Sequence, residues 1–197
     1  MNTTTIIILA VVVVLIAIAV AAFFYFRRRR SENLRKQFGP EYRRAVKQYG
    51  DQRKAETELA EREKRVRKLD IRGLTRDEQT RFANNWKKTQ GHFVDAPSPA
   101  VSEADSLVKE LMLARRYPVG EFEQRAADIS VDHPDVVNNY RNAHEIAERN
   151  KSGKATTEDL RQAMVHYRSL FEELLETTAA ESSNQSERTK ADKEVAK

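Results

Sequence analysis

The sequence predicts an all-α protein with four parts in order: an N-terminal transmembrane helix, a long charged helix, a compact multi-helix domain and a disordered C-terminal tail. Three observations carry this expectation. An unbroken apolar run, Ile6 to Phe26, is followed at once by Arg27, Arg28, Arg29 and Arg30. Beyond it, apolar residues recur at three- and four-residue spacing, the helical period, with no sustained two-residue alternation. The chain has only six glycines and five prolines, and the prolines fall between the periodic segments.

The apolar run comes first. An α-helix rises about 1.5 Å per residue, so the run is roughly 31 Å long, enough for one hydrocarbon core. It holds no charge, glycine or proline. A secretory signal peptide has a basic leader and an apolar core of about 7–15 residues. Here the leader Met1-Asn2-Thr3-Thr4-Thr5 is uncharged, and Ala22 to Phe26 carry the run past the cleavage-like triplet Ala19-Val20-Ala21. Basic residues stay on the cytoplasmic side of a span. Arginines after the span and none before it place residues 1–5 outside and residues 31–197 inside. Phe23, Phe24, Tyr25 and Phe26 suit the inner headgroup boundary, where aromatic rings concentrate. The flank 27–30 then meets anionic headgroups, each arginine attracted by about 1 kcal/mol. Ala17 and Ala21 have the small-xxx-small spacing of paired spans, but alanine is common in any span and a lipid-facing surface is the favoured reading.

Composition narrows the rest. The formal charge of +5 is mostly the four flanking arginines, because residues 31–197 hold 31 basic and 30 acidic side chains. The basicity is a topology signal and poor evidence for a nucleic-acid partner. Charge is also ordered along the chain: residues 31–70 hold 12 basic and 8 acidic side chains, and residues 121–178 hold 7 and 12. A positive end near the bilayer suits a negative inner leaflet. With no cysteine, disulfides, thiolate catalysis and Cys-based zinc sites are excluded.

The segment 31–70 is expected to form charged membrane-proximal helices. Leu34 and Phe38 continue helix from the membrane, Gly39-Pro40 interrupts it, and Pro40 suits the first turn of a new helix. Glu41 to about Lys68 reads as one long solvated helix with a narrow stripe of Tyr42, Ala45, Val46, Tyr49, Ala55, Leu59, Val66 and Leu69, bent or broken at Gly50. Glu56 and Glu63 spoil the heptad register, which leaves a coiled coil with another chain as the weaker alternative.

Residues 71–177 are expected to form the helical domain. Asp70 to Leu74 is a connection, and Thr75-Arg76-Asp77-Glu78 reads as a capping box. Phe82, Trp86 and Phe93 share one face of the helix it opens, which Asp95-Ala96-Pro97-Ser98-Pro99 ends. Val101, Ala104, Leu107, Val108, Leu111 and Met112 line the next helix, stopped by Tyr117-Pro118. Phe122, Ala126 and Ile129 mark a short helix to about Ser130. Asp132 or His133 should cap another, with Pro134 in its first turn and Val137, Tyr140, Ala143 and Ala147 on its buried side. After the loop Lys151 to Lys154, Thr156-Thr157-Glu158-Asp159 starts the last helix, with Leu160, Met164, Tyr167, Phe171 and Leu174 on one face. The expected core anchors are Phe82, Trp86, Phe93, Leu107, Leu111, Tyr140, Met164 and Phe171. The tail 178–197 is too polar to offset chain entropy and is expected to be disordered.

No motif carries catalytic chemistry, and no catalytic, cofactor or metal residue is assigned. His144-Glu145 begins like H-E-x-x-H, but position 148 is Glu. His133 reads as a cap or surface residue. Glu172, Glu173 and Glu176 read as a solvated face, and Gly153-Lys154 lacks the upstream glycine of a phosphate loop. Arg62-Glu63-Lys64-Arg65-Val66-Arg67-Lys68 is a candidate phosphate-binding stretch. It is interleaved with acids and has no stacking aromatics, so an exposed face with Glu–Lys/Arg pairs is the favoured reading.

Several segments carry a family resemblance: Gly50 to Glu56, Lys68 to Arg72, Trp86 with Gln90 and Phe93-Val94-Asp95, Ala126 to Pro134, and Ala163 to Arg168. In these, over roughly residues 31–176, the chain resembles an uncharacterised group of bacterial single-span membrane proteins with a cytoplasmic helical domain. The resemblance implies a bacterial inner membrane and brings no activity, cofactor or site residue with it. A looser likeness to the membrane-anchored b subunit of ATP synthase fails, because Pro97, Pro99, Pro118 and Pro134 break the single long helix that subunit requires. The expected function is a non-enzymatic, single-pass interaction or scaffold module without a cofactor. Its expected partners are the bilayer and a protein or second copy of the chain. A nucleic-acid binder acting through 62–68 and an enzyme with a dispersed Glu/His site are the alternatives.

Overall fold

A computed structural model describes the backbone of residues 3–175 and the side chains of residues 12–175. The described residues are all-helical: α1 (Thr3–Tyr49), α2 (Gln52–Val66), α3 (Arg76–Asp95), α4 (Pro97–Ala114), α5 (Phe122–Asp132), α6 (Val137–Lys151) and α7 (157–175). Glu176 and the tail 178–197 lie outside the described residues. The chain divides into two compact units, Met1–Ala60 and Glu61–Lys197, with the boundary inside α2.

In the first unit, helix is continuous through residues 12–26, whose side chains are exposed except for half-buried Ala22. Among the described residues no helix is long and apolar enough to cross a membrane. The described side chains of the apolar run, Val12 to Phe26, account for about 22 Å of rise, less than a hydrocarbon core of about 30 Å. Residues 6–11 complete the run in sequence and lie outside the described side chains.

The expectation of one long helix over 41–68 is corrected. The chain reverses twice, at Gly39 and at Gly50. Gly39 takes φ 44°, ψ −118° between two helical limbs of α1, and Pro40 opens the second limb. A side chain at Gly39 would clash with its own backbone, whereas glycine adopts this geometry at little cost. Gly50, at φ 67°, ends α1 with its N–H bonded to the Val46 carbonyl at 3.0 Å. Asp51 then accepts the Lys54 N–H at 2.9 Å and so caps α2. The buried positions that result are Leu34, Phe38, Tyr42, Ala45, Ala55 and Leu59.

The second unit packs α3 to α7 around one apolar cluster. The Thr75 hydroxyl accepts the Glu78 N–H at 3.2 Å, and the Glu78 carboxylate accepts the Thr75 N–H at 2.8 Å, completing a capping box. Thr156 and Asp159 make the same reciprocal pair at the start of α7, at 3.2 and 2.9 Å. Trp86 of α3 stacks on Phe171 of α7, with ring centroids 4.8 Å apart and planes 17° apart.

Several sequence-based boundaries move. Helix α3 ends at Asp95 as expected, and Pro97-Ser98-Pro99 already forms the first turn of α4, since a proline at the start of a helix gives up no hydrogen bond. Only Ala96 separates α3 from α4. Helix α4 ends before Tyr117-Pro118, at a reversal in which Arg116 takes φ 67°. There the Tyr117 N–H bonds the Met112 carbonyl at 2.9 Å and the Arg116 N–H bonds that of Leu113 at 2.8 Å, a Schellman motif. Helix α5 runs to Asp132, and His133 is its C-cap, its N–H bonded to the Ile129 carbonyl at 2.8 Å. Neither Asp132 nor His133 caps α6; Val136 stands there without a side-chain bond.

The capping box sets a pH dependence. A bidentate Arg72 pair (2.7 and 2.9 Å) and the Thr75 N–H hold the Glu78 carboxyl down to about 2 from its usual 4.5. Its contribution is complete above pH 4.5 and is lost as pH falls through about 2. Glu78→Gln should flatten the fall of melting temperature across that window. Thr75→Ala should cost about 1 kcal/mol in denaturant unfolding.

Candidate functional site

Two regions carry the charged and polar side chains a binding function would use. The first is the surface of unit one around the basic flank. Arg27 is half-buried, whereas Arg28, Arg29 and Arg30 are exposed. Arg28 pairs with Glu32 at 3.2 Å, one turn on. The two chain reversals bring the first turns of α2 back beside this flank. One carboxylate oxygen of Glu56 accepts hydrogen bonds from the Ser31 hydroxyl (2.6 Å), the Tyr42 hydroxyl (2.7 Å) and the Gln52 amide (2.8 Å). Burial opposes its charge, but those three bonds and nearby Arg27 outweigh burial and lower its pKa. Next to it, a groove of about 720 Å³ is lined by Arg35, Pro40, Tyr42, Arg43, Val46 and Gln52. The Arg35 guanidinium lies 5.2 Å from the centre of the Tyr42 ring, a cation–π contact.

The second region is the interior of the helical domain. Phe82, Trp86, Leu107, Leu111, Tyr140, Met164 and Phe171 lie buried in its apolar cluster, and Phe93 is half-buried against it. Charged groups cross that interior. Asp105, 7 % exposed, accepts the Tyr167 hydroxyl at 3.0 Å and Lys109 at 2.6 Å. Burial and the adjacent Asp105 carboxylate push the Tyr167 hydroxyl far above its usual pKa, so it stays a donor. Arg125 donates to the Tyr140 hydroxyl at 3.1 Å and to the Val119 and Gly120 carbonyls. Burial raises the Tyr140 pKa, with Arg125 acting against it. His144 stacks on Phe122 at 3.6 Å, and burial lowers its pKa, which keeps the ring neutral at pH 7.

Sequence pattern left a trace of these buried charges. Asp105 sits four residues after Val101 and three before Val108, on the apolar stripe of α4. Arg115 falls four residues after Leu111 on the same stripe. A charged residue in apolar register is the signal for a buried, satisfied one. The Ser31–Glu56–Tyr42 cluster has no such signal, because its members meet only through the chain reversals.

The sequence-predicted chemical residues are dispersed. His133 is buried, not on the surface, with Nδ1 3.1 Å from a Glu173 carboxylate oxygen. Its other ring nitrogen makes no hydrogen bond among the described residues. His166 meets the Asn139 amide oxygen at 3.1 Å, and burial lowers its pKa. His92 faces Glu103 at 3.0 Å in a shallow groove between α3 and α4. The hydroxyls nearby, Ser102 and Ser106, donate to backbone carbonyls of their own helix. Among the described residues, no group of three or more His, Cys, Asp or Glu side chains could hold a metal ion.

The stretch 62–68 is not a free basic face. Arg62 is buried, Lys64 lies 3.9 Å from Glu61, Arg67 pairs with Glu63, and Arg65 grips buried Asp128 at 2.8 and 2.9 Å. The chain matches no protein-family model, no curated protein and no solved structure.

The buried bonds can be weighed by substitution. Tyr167→Phe strips Asp105 of one of its two named partners and should cost about 1–2 kcal/mol in urea unfolding. Lys109→Met, at a more exposed pair, should cost less than about 1 kcal/mol.

Proposed function

We propose that the chain is a single-pass membrane protein that presents a helical interaction or scaffold module to the cytoplasm and performs no catalysis. One observation carries the membrane part: a stretch of helix that is apolar on every side and exposed, and whose apolar run ends at four arginines. Its large side chains from Val12 to Phe26 are 47 to 67 % exposed. A soluble protein rarely leaves an apolar patch above a few hundred Å² uncovered. A helix apolar all round belongs in a protein core or a bilayer. With residues 6–11 the run reaches the length of a hydrocarbon core, and the arginines at its end favour an N-outside, C-inside orientation in a bacterial inner membrane.

The interaction role rests on the chemistry of the interior. Asp105, Arg125 and Asp128 are buried and each is held by a side chain from another helix, an arrangement that stiffens a module. The partner is a second protein or another copy of the chain, met on the cytoplasmic side.

Alkaline carbonate washing of membranes should leave the full chain in the pellet, and deletion of residues 6–26 should move it to the supernatant. A reporter active only in the periplasm, fused after Glu176, should be silent, while a cytoplasmic reporter there is active. The reverse pattern would overturn the orientation.

A further inference from the structure

Beside the groove near Tyr42, unit one holds a smaller notch of about 230 Å³, lined by Phe23, Arg27, Arg30, Arg53, Glu56 and Thr57. We propose that this notch binds the phosphate of an anionic phospholipid headgroup through Arg27, Arg30 and Arg53. The inference rests on the membrane-anchor reading and deepens it: the flank is a shaped site and not only a diffuse positive charge.

Three observations carry it. The first is the convergence of Arg53 with Arg27 and Arg30. Arg53 lies on α2, separated from the flank by both chain reversals, and the fold returns it to the level of the flank. Arginines from two helices therefore line one space. Among the described residues none of the three makes an ion pair with a carboxylate within 4.0 Å, and Arg27 interacts with Glu56 only at longer range.

The second observation is how the one nearby acid is held. Glu56 lines the notch, yet one of its carboxylate oxygens already takes bonds from Ser31, Tyr42 and Gln52. Those bonds already occupy that oxygen, while Arg27 lies near enough to help lower the carboxyl's pKa. Three guanidiniums against one carboxylate leave the notch with a net charge that an anionic phosphate neutralises.

The third observation is depth. Phe23 forms one wall, and it belongs to the aromatic cluster that ends the apolar run. A phosphate seated against the arginines would place its acyl chains alongside Phe23 and the run above it. Guanidinium forks match phosphate oxygens two at a time, which supplies geometry as well as charge.

The test uses the full chain extracted from phosphatidylcholine bilayers with and without phosphatidic acid, with bound lipid counted by native mass spectrometry. One phosphatidic acid should be retained per chain, and phosphatidylcholine should not replace it. Arg53→Gln should weaken retention about tenfold, the loss of roughly one charge-assisted contact. Lys54→Gln removes the same charge one residue on, outside the notch, and should change retention less than about twofold. Equal effects of the two variants, or equal retention of the two lipids, would overturn the site. The Arg53 side chain is exposed, and circular dichroism matching the wild type shows that Arg53→Gln folds. Displacement of the lipid by inorganic phosphate would keep the phosphate chemistry and assign a soluble source. Carbonate washing reads the anchor separately: a chain that washes off loses the membrane reading, and inorganic phosphate binding to wild type against Arg53→Gln still judges the notch.

Discussion

Arg115 is 1 % exposed, and the way its charge is satisfied determines how the helical domain closes. Its guanidinium donates to the Leu174 carbonyl of α7 at 3.1 Å and to the Arg72 carbonyl at 3.4 Å. Its own carbonyl accepts the Arg72 N–H at 3.1 Å. One residue thus joins the end of α4, the connection into α3, and α7. A buried guanidinium left without acceptors would cost several kcal/mol, so these three segments meet here or the cation is stranded. The Trp86–Phe171 stack ties α3 to α7 as well.

The same economy runs through the rest of the domain. Asp105, Arg125 and Asp128 are all buried, and each is held by partners from another helix: Tyr167 for Asp105, Tyr140 for Arg125, Arg65 for Asp128. Such bonds add little net stability over apolar packing, but they are costly to misplace. They select one arrangement of short helices that ridge-and-groove packing alone would leave free to slide. An interaction module benefits from that, because a fixed surface loses less entropy when a partner docks.

Unit one works on a different constraint. Its α1 and α2 are dense in charge, and a straight helix over 41–68 would have left Tyr42, Ala55 and Leu59 in water. Reversal at two glycines buries them and gathers arginines from distant parts of the chain. The Glu56 bonds to Ser31 and Tyr42 join the limbs, and they place a basic surface where the apolar run ends.

Much of this was legible in the residues themselves. Helical periodicity determined the all-α class, and the Thr75–Glu78 and Thr156–Asp159 pairs announced two helix starts, because a cap is a bond between residues three apart. Gly39 and Gly50 marked where helix would yield. Local pattern could not say that Pro97 and Pro99 begin a helix instead of ending one, since a proline is compatible with both. Nor could it say that His133 and Arg62 would be buried or that Arg65 would reach Asp128. Those outcomes depend on which surfaces other helices cover. The sequence by itself determined the helical class, the apolar run with its basic end, and the capped starts, all of which rest on bonds or spacings within a turn or two. Only the tertiary structure decided that Arg53 returns to Arg27 and Arg30 and that Arg115 closes the domain. Contacts between residues far apart in the chain follow from the path of the backbone, and no local spacing encodes that path.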